Sequence, residues 1–219
     1  MDQLRNADRV SEWPCETQEQ QPHGGHGTVG RSDRMNWRQQ QVDQTYAFAR
    51  KHMTRFGTAL DIGCDVFEIA GHLAREFRHT HCFDFRDKTA MMHKQVKDKT
   101  LVTFHHTALG DTETIKYSKP GVGRIKSDQP HGRSTMPVRV NTLDSYNIQD
   151  VDFIKIDVEG YETRVLQGGL ETIKRDSPAI LCEINRGDFS ARKLLESIGY
   201  KCVDTYLKEG TPHDYMFVR

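Results

Sequence analysis

Residues 151–160 read VDFIKIDVEG. The run from Val151 to Ile156 is short, apolar and rich in β-branched and aromatic side chains, which predicts a strand buried in a sheet. It ends in Asp157-Val158-Glu159-Gly160. Burying a charge without a partner is costly, so two carboxylates at i and i+2 followed by glycine suggest a site at the strand's end. A capping box opening the next helix accounts for one acid and less easily for both.

Short apolar runs and amphipathic stretches alternate on both sides of this segment. Downstream, Val165, Leu166, Leu170 and Ile173 mark a helix, Ala179 to Glu183 a buried strand, and Leu194, Leu195 and Ile198 a further helix. Two strand-like runs, Tyr200 to Tyr206 and Tyr215 to Val218, close the chain, with Gly210 and Pro212 between them. No helix fits there, so they form a hairpin with one strand antiparallel to the rest. Upstream, Thr58 to Ile62, His81 to Phe85 and Leu101 to Leu109 read as strands. Ala70, Leu73, Ala74 and Phe77, then Lys88 to Lys97, read as helices. This order predicts an α/β fold: a doubly wound, mostly parallel sheet with helices on both faces and a C-terminal antiparallel hairpin. Before it, Val42, Tyr46, Ala49, Met53 and Phe56 form one helical stripe, with Phe48 to its side and Gly57 as the stop. The expected organisation is a polar N-terminal tail over 1–35, a helix over 36–57 and the α/β domain over 58–219. In the tail, His23 and His26 flank two glycines with no third ligand nearby, which reads as flexible chain and not as a metal site.

The 219 residues carry 31 basic and 31 acidic side chains, so whole-chain charge gives no reason to expect nucleic acid or a membrane surface. The five cysteines show no CxxC spacing and read as reduced thiols of a cytoplasmic protein. No run approaches the roughly 18 apolar residues of a membrane span, and MDQLRNADRV lacks the apolar core of a signal peptide.

In a doubly wound sheet the ligand sits at the carboxyl ends of the strands, which selects the candidate residues. After the first strand comes Asp61-Ile62-Gly63-Cys64-Asp65, where a glycine admits close backbone approach and a carboxylate accepts from a ligand amine or hydroxyl. A strand-to-helix turn with an aspartate cap explains the segment equally well. Asp84 closes the second strand, where an acid commonly accepts both hydroxyls of a ribose. Phe85 beside it suits an adenine or the core. Of the pair His105-His106, one is expected to be buried or site-lining and the other exposed. Glu113 to Tyr117 and Val138 to Leu143 suit short strands, and between them runs a long Gly/Pro/Ser-rich loop; over 116–139, Lys116, Lys119, Arg124, Lys126, Arg133 and Arg139 face only Asp128. Such a loop meets an anionic partner or is a solvated face.

The run DFIKIDVEGYETRVLQGG resembles the hallmark of the FkbM family of S-adenosylmethionine-dependent methyltransferases. Thr142-Leu143-Asp144 before it and ILCEI after it extend the match, and LDIGCD, CFDF and TALGD fit upstream in order and spacing. The resemblance spans residues 58–218. It implies a Rossmann-like seven-stranded sheet, S-adenosylmethionine as cofactor, and O-methylation of a hydroxyl on a sugar, glycolipid or secondary metabolite; a metal bridging Asp157 and Glu159 would lack a third ligand, and none is expected. By that resemblance Asp61, Gly63, Cys64 and Asp65 cradle the methionine part, Asp84 and Phe85 meet the ribose and adenine, and Thr107 and Ala108 border the adenine. Asp157 and Glu159 face the transferring methyl as the catalytic pair, with Asp157 also orienting the cofactor. Arg124, Lys126 and Arg133 are the expected acceptor-binding residues. The family's first loop usually reads Asp-x-Gly-Ala-Asn-x-Gly, whereas here Asp65 replaces the asparagine and Phe67 the second glycine. Phe67 is therefore expected to add bulk where backbone meets the cofactor.

Three other readings compete. A nicotinamide dehydrogenase suits Asp84 but lacks GxGxxG. A nucleic-acid-directed methyltransferase or binder would use the basic loop. A cofactor-binding module without catalysis would follow from Phe67. A small-molecule or glycan acceptor is the expected partner, and nucleic acid is not.

Overall fold

The computed structural model describes residues 31–125, 128–130, 135–184, 188–208 and 210–219. Among the described residues ten strands follow in chain order: β1 (Thr58–Ile62), β2 (His79–Asp84), β3 (Val102–His106), β4 (Ala108–Leu109), β5 (Thr114–Ser118), β6 (Met136–Asn141), β7 (Val151–Ile156), β8 (Ala179–Glu183), β9 (Lys201–Lys208) and β10 (Thr211–Val218). The helices are α1 (Arg31–Arg50), α2 (Glu68–Glu76), α3 (Thr89–Gln95), α4 (Glu162–Gln167), α5 (Leu170–Asp176) and α6 (Ser190–Ser197).

Seven strands form one sheet in the order β3-β2-β1-β7-β8-β10-β9. All neighbours pair in parallel except β10, which runs antiparallel to both β8 and β9. The doubly wound sheet and C-terminal hairpin expected from the sequence are therefore the observed architecture. The strand order reverses between β1 and β7, the switch point where such sheets bind ligands. Strand β7 is central and buried on both faces, which is why its sequence is a continuous apolar run. Ile154 and Ile156 face a core with Val165, Leu166, Ile173 and Leu195. Phe153 faces the opposite core with Tyr46, Ala49, Leu73 and Met216.

Four local expectations differ from the structure. Helix α1 closes at Arg50, and Met53 enters the core from non-helical chain beyond it. Phe48, expected beside the stripe, is buried with its ring 5.6 Å from that of Tyr206. The helix expected through Val165 and Ile173 is two helices broken at Gly168-Gly169. A Cβ on Gly168 would lie 1.9 Å from the Gly110 carbonyl oxygen, so this backbone crossing excludes any side chain. The third strand stops at His106. The Thr107 hydroxyl donates to the Arg139 carbonyl at 3.1 Å, and Ala108-Leu109 pairs with β6 in a separate sheet of order β4-β6-β5. Most of the expected tail, residues 1–30 with His23 and His26, lies outside the described residues. No helix among the described residues is long and apolar enough to cross a membrane.

Candidate functional site

Two cavities open at the carboxyl ends of β1 and β7. The first, of about 190 Å³, is walled by Asp84, Phe85 and Arg86 after β2, by Thr107 to Leu109, and by Val158, Glu159 and Tyr161 after β7. Gly123 and Ile125 of the long loop close it. The second, of about 350 Å³, lies under α1, whose Trp37, Arg38 and Gln41 form its outer wall. Its floor holds Asp61, Lys155, His213 and Asp214. Gly63, Asp65 and Asp157 line both.

Local geometry explains why the first loop carries glycine at one position and tolerates phenylalanine at another. Gly63 has φ +82°, and a Cβ there would lie 1.8 Å from the Asp157 carbonyl oxygen. Only glycine allows the loops after β1 and β7 to meet. Phe67 also has positive φ, +61°, but its ring is fully buried with Cys64, Ala70 and Val102, and lies edge-on to Phe104 at 5.3 Å. It lines neither cavity. The bulk expected against the cofactor therefore goes into the core.

Asp84 is buried, and Arg86 holds it through Nε to Oδ1 at 3.0 Å and Nη2 to Oδ2 at 2.8 Å. Phe85 is half-buried on the same wall. Asp65 accepts from Arg38 and Lys88, each at 2.9 Å. Burial alone would raise its carboxyl, but those hydrogen bonds prevail and lower it. Cys64 is buried, and loss of hydration pushes its thiol well up. Of the histidine pair, His105 stacks on Phe83 at 4.4 Å, while His106 is exposed and bonds the Phe85 carbonyl at 3.0 Å.

Asp61 is buried with neither carboxylate oxygen receiving a hydrogen bond from the described residues. Its nearest cation, Lys155 Nζ, is 3.5 Å from Oδ1. Burial pushes the Asp61 carboxyl up. An orphaned buried carboxylate beside a cavity suits a ligand that brings its own donor. Lys155 Nζ also lies 3.3 Å from Asp157 Oδ2. Burial opposes the lysine's charge, yet the carboxylates of Asp157, Asp61 and Asp214 prevail and raise it.

The two acids after β7 part company. Glu159 is exposed in a left-handed turn, φ +58°, on the first cavity. The acid beside Asp157 is Glu183, which ends β8 one step beyond the register partners Ile156 and Cys182. Burial would raise the Asp157 carboxyl, but Lys155 and the bond with Glu183 hold it low. Burial pushes Glu183 up to about 7, and the neighbouring Asp157 charge adds to this against the pull of His213. Neither Asp157 nor Glu159 caps α4: Glu162, the first residue of that helix, instead ties down the loop before it, its Oε1 accepting from Val158 N at 3.2 Å and Gly160 N at 2.9 Å.

Of the basic loop residues, Arg124 is exposed, and its carbonyl accepts from Ser118 Oγ at 2.8 Å. Lys116 pairs with Asp128. Lys126 and Arg133 lie outside the described residues. Among the described residues, no group of three His, Cys, Asp or Glu side chains could hold a metal. Lys155, Glu183, His213 and Asp214 are not among the residues that strand ends and motifs single out. A lysine inside the most apolar strand and a glutamate ending AILCE were the available signals.

The architecture recurs in solved structures. An FkbM methyltransferase from Methylobacillus flagellatus KT superposes with a TM-score of 0.56 at 16% identity over 77% of this chain. That match spans 46% of the other chain, under half its length. A Streptococcus pneumoniae protein, provisionally assigned as a tRNA methyltransferase and solved with S-adenosyl-L-methionine, gives 0.51 at 14% identity, covering 82% of this chain and 71% of that one. A Streptococcus agalactiae protein of the NADB-Rossmann superfamily gives 0.54 at 10% identity, over 80% and 67%. At these identities the likeness shows the fold alone. No curated protein sequence matches. The sequence itself matches the methyltransferase FkbM domain over residues 41–202, which takes in the carboxyl ends of β1, β2, β7 and β8 and the second half of α1, and on that match the chain belongs to the FkbM methyltransferase family.

Proposed function

We propose that this chain is an S-adenosylmethionine-dependent methyltransferase that O-methylates a hydroxyl on a sugar, glycolipid or secondary metabolite. The observation that carries this reading is the junction of two cavities at Gly63, Asp65 and Asp157, at the switch point of the sheet. In this reading the first cavity takes the adenosine, with Asp84 toward the ribose and Phe85, Thr107 and Ala108 around the base. Asp61 takes the methionine ammonium, which supplies the donor its oxygens lack. The acceptor enters the second cavity beneath α1. When bound, S-adenosylmethionine supplies an electrophilic methyl whose carbon–sulfur electron pair stays on sulfur.

The chain's own residues align the acceptor hydroxyl, exclude water beneath α1 and remove the proton. Phe67 gives no support to a module with lost catalysis, since its ring lies in the core. Calorimetry with S-adenosylmethionine and S-adenosylhomocysteine tests the cofactor. A screen of hydroxylated acceptors for methyl gain by mass spectrometry tests the reaction. Binding of a nicotinamide dinucleotide in preference to both sulfur ligands would defeat the reading.

A further inference from the structure

The face of the sheet covered by α1 and α2 changes character at the carboxyl edge. Alternation places Ala59 and Asp61 on that face in β1, Phe153, Lys155 and Asp157 in β7 and its extension, Leu181 and Glu183 in β8, and Met216 and Asp214 in β10. Apolar side chains give way to ionic ones at one level across four strands. Asp61 and Lys155 are register partners, and so are Glu183 and Asp214. Two acids directly opposite would repel. His213 lies between them, with Nε2 2.8 Å from Glu183 Oε1 and Nδ1 3.3 Å from Asp214 Oδ1.

A local irregularity puts the imidazole there. On β10, Pro212 pairs with Leu207 and Asp214 pairs with Tyr206, so His213 is the extra residue of a bulge. A bulge re-aims a side chain that strict alternation would send to the other face. The His213 carbonyl accepts from Ile184 N at 3.0 Å, which ties the bulge to the end of β8.

We propose, on the methyltransferase reading above, that Asp157 and Glu183 form a carboxyl pair that takes the proton of the acceptor hydroxyl, with the His213 bulge fixing Glu183 in place. Asp157 is the group in contact with the acceptor. It lines both cavities, and its side chain is 38% exposed. Glu183 lines neither, and its Oε2 receives no hydrogen bond from the described residues. It is a positioning residue that stores the proton. As the acceptor's O–H electron pair becomes the new oxygen–carbon bond, the proton passes to Asp157 and is shared with Glu183. Release to solvent resets the pair. The charges around it are Lys155 and Asp61 on the neighbouring strands and His213 and Asp214 on β10, with Arg38 and Glu68 across the cavity. They set Glu183, and not Asp157, as the half that titrates near neutrality.

Carbon-13 carboxyl NMR on the full chain labelled at glutamate tests this without an acceptor. One glutamate should titrate near pH 7 and be missing from Glu183→Gln. Its midpoint should rise in His213→Asn, which removes a cation, and fall in Asp157→Asn, which removes an anion. The opposed shifts carry the assignment even if Glu183→Gln does not fold. Glutamates that all titrate in the ordinary range, or midpoints that ignore both variants, overturn the proposal. With an acceptor in hand, the acid limb of kcat/KM should follow the NMR midpoint through the same variants. A limb that stays in place also overturns it. S-adenosylhomocysteine calorimetry on the same samples separates the failures. Binding with ordinary titration defeats the pair alone, and absence of binding defeats the methyltransferase reading.

Discussion

Arg86 grips the carboxylate of Asp84 from two residues away, through both Nε and Nη2, while its own backbone N–H donates to Oδ1 at 2.8 Å. A charge-assisted bidentate pair of this kind is strong and directional. The group expected to receive a ribose therefore already holds a partner, and a ligand must share it or displace it.

Asp84→Ala should cost S-adenosylhomocysteine on the order of 1.5–3 kcal/mol, the worth of a hydrogen bond to a charged group. Arg86→Ala should leave affinity within a few-fold and lower the melting temperature, because a buried carboxylate then lacks its counter-charge. Calorimetry and thermal melts on both variants decide the matter. A large affinity loss in Arg86→Ala would make the arginine a ligand contact instead of a competitor.

The legible part of this chain was its strands. Val151 to Ile156 and Ala179 to Glu183 announce themselves because burial on both faces leaves only apolar residues. The same strand reading located Asp61, Asp84 and Asp157 at strand ends, and the family resemblance added the roles expected of them. Partnership was not legible. Glu183 meets Asp157 across a parallel pair, and His213 reaches Glu183 only through a bulge, and neither register nor bulge is written in local periodicity. The same limit hid the fate of Phe67, since a positive-φ residue can turn its side chain into the core or onto the ligand.

Gly63→Ala should be among the most destabilising substitutions in the chain. The new Cβ would sit 1.8 Å from a backbone oxygen that cannot move without shifting β7. The expected loss is upward of about 3 kcal/mol. Gly121→Ala is the control: it shares a positive φ, +75°, but would meet no described residue within 4 Å, so the left-handed strain of about 1–2 kcal/mol is its expected cost. Equal losses in urea melts would remove the loop contact as the cause.

Phe67→Gly restores the residue usual in the family and should still destabilise the protein. It relieves left-handed strain worth about 1–2 kcal/mol. It also empties a fully buried aromatic site, which costs about 3–5 kcal/mol for a phenylalanine truncation. The cavity outweighs the strain, for a net loss of about 1–4 kcal/mol. Cofactor affinity should hold, because the ring lines neither cavity. A gain in stability, or a marked gain in affinity, would mean the ring presses on the cofactor loop.

The ionic edge of the sheet should give the protein a stability that falls as pH rises. Glu183 is pushed up by burial to about 7 from an ordinary 4.5. The folded chain therefore binds a proton there that the unfolded chain has released, and where the folded state binds more protons stability drops with rising pH. That contribution is whole below 4.5 and is lost as pH passes 7. His213 is pushed up to about 10 from 6.5, by the carboxylate of Asp214 first and that of Glu183 second, which lie 3.3 and 2.8 Å from its ring nitrogens. Its contribution is whole below 6.5 and is lost as pH passes 10. Both slopes have the same sign, so the melting temperature should decline steadily from about pH 5 to about pH 9. Carboxylates held low, such as Asp65, Asp157 and Asp176, are ionised in both states over that range and add no slope. Glu183→Gln removes the first contribution outright and weakens the second by taking one of the imidazolium's two acids. Its melting curve against pH should be flatter than that of the parent chain, most visibly between about pH 5 and about pH 7. Parallel curves for the two proteins would show that Glu183 ionises alike in the folded and unfolded chains, and would leave the edge without a titrating carboxyl.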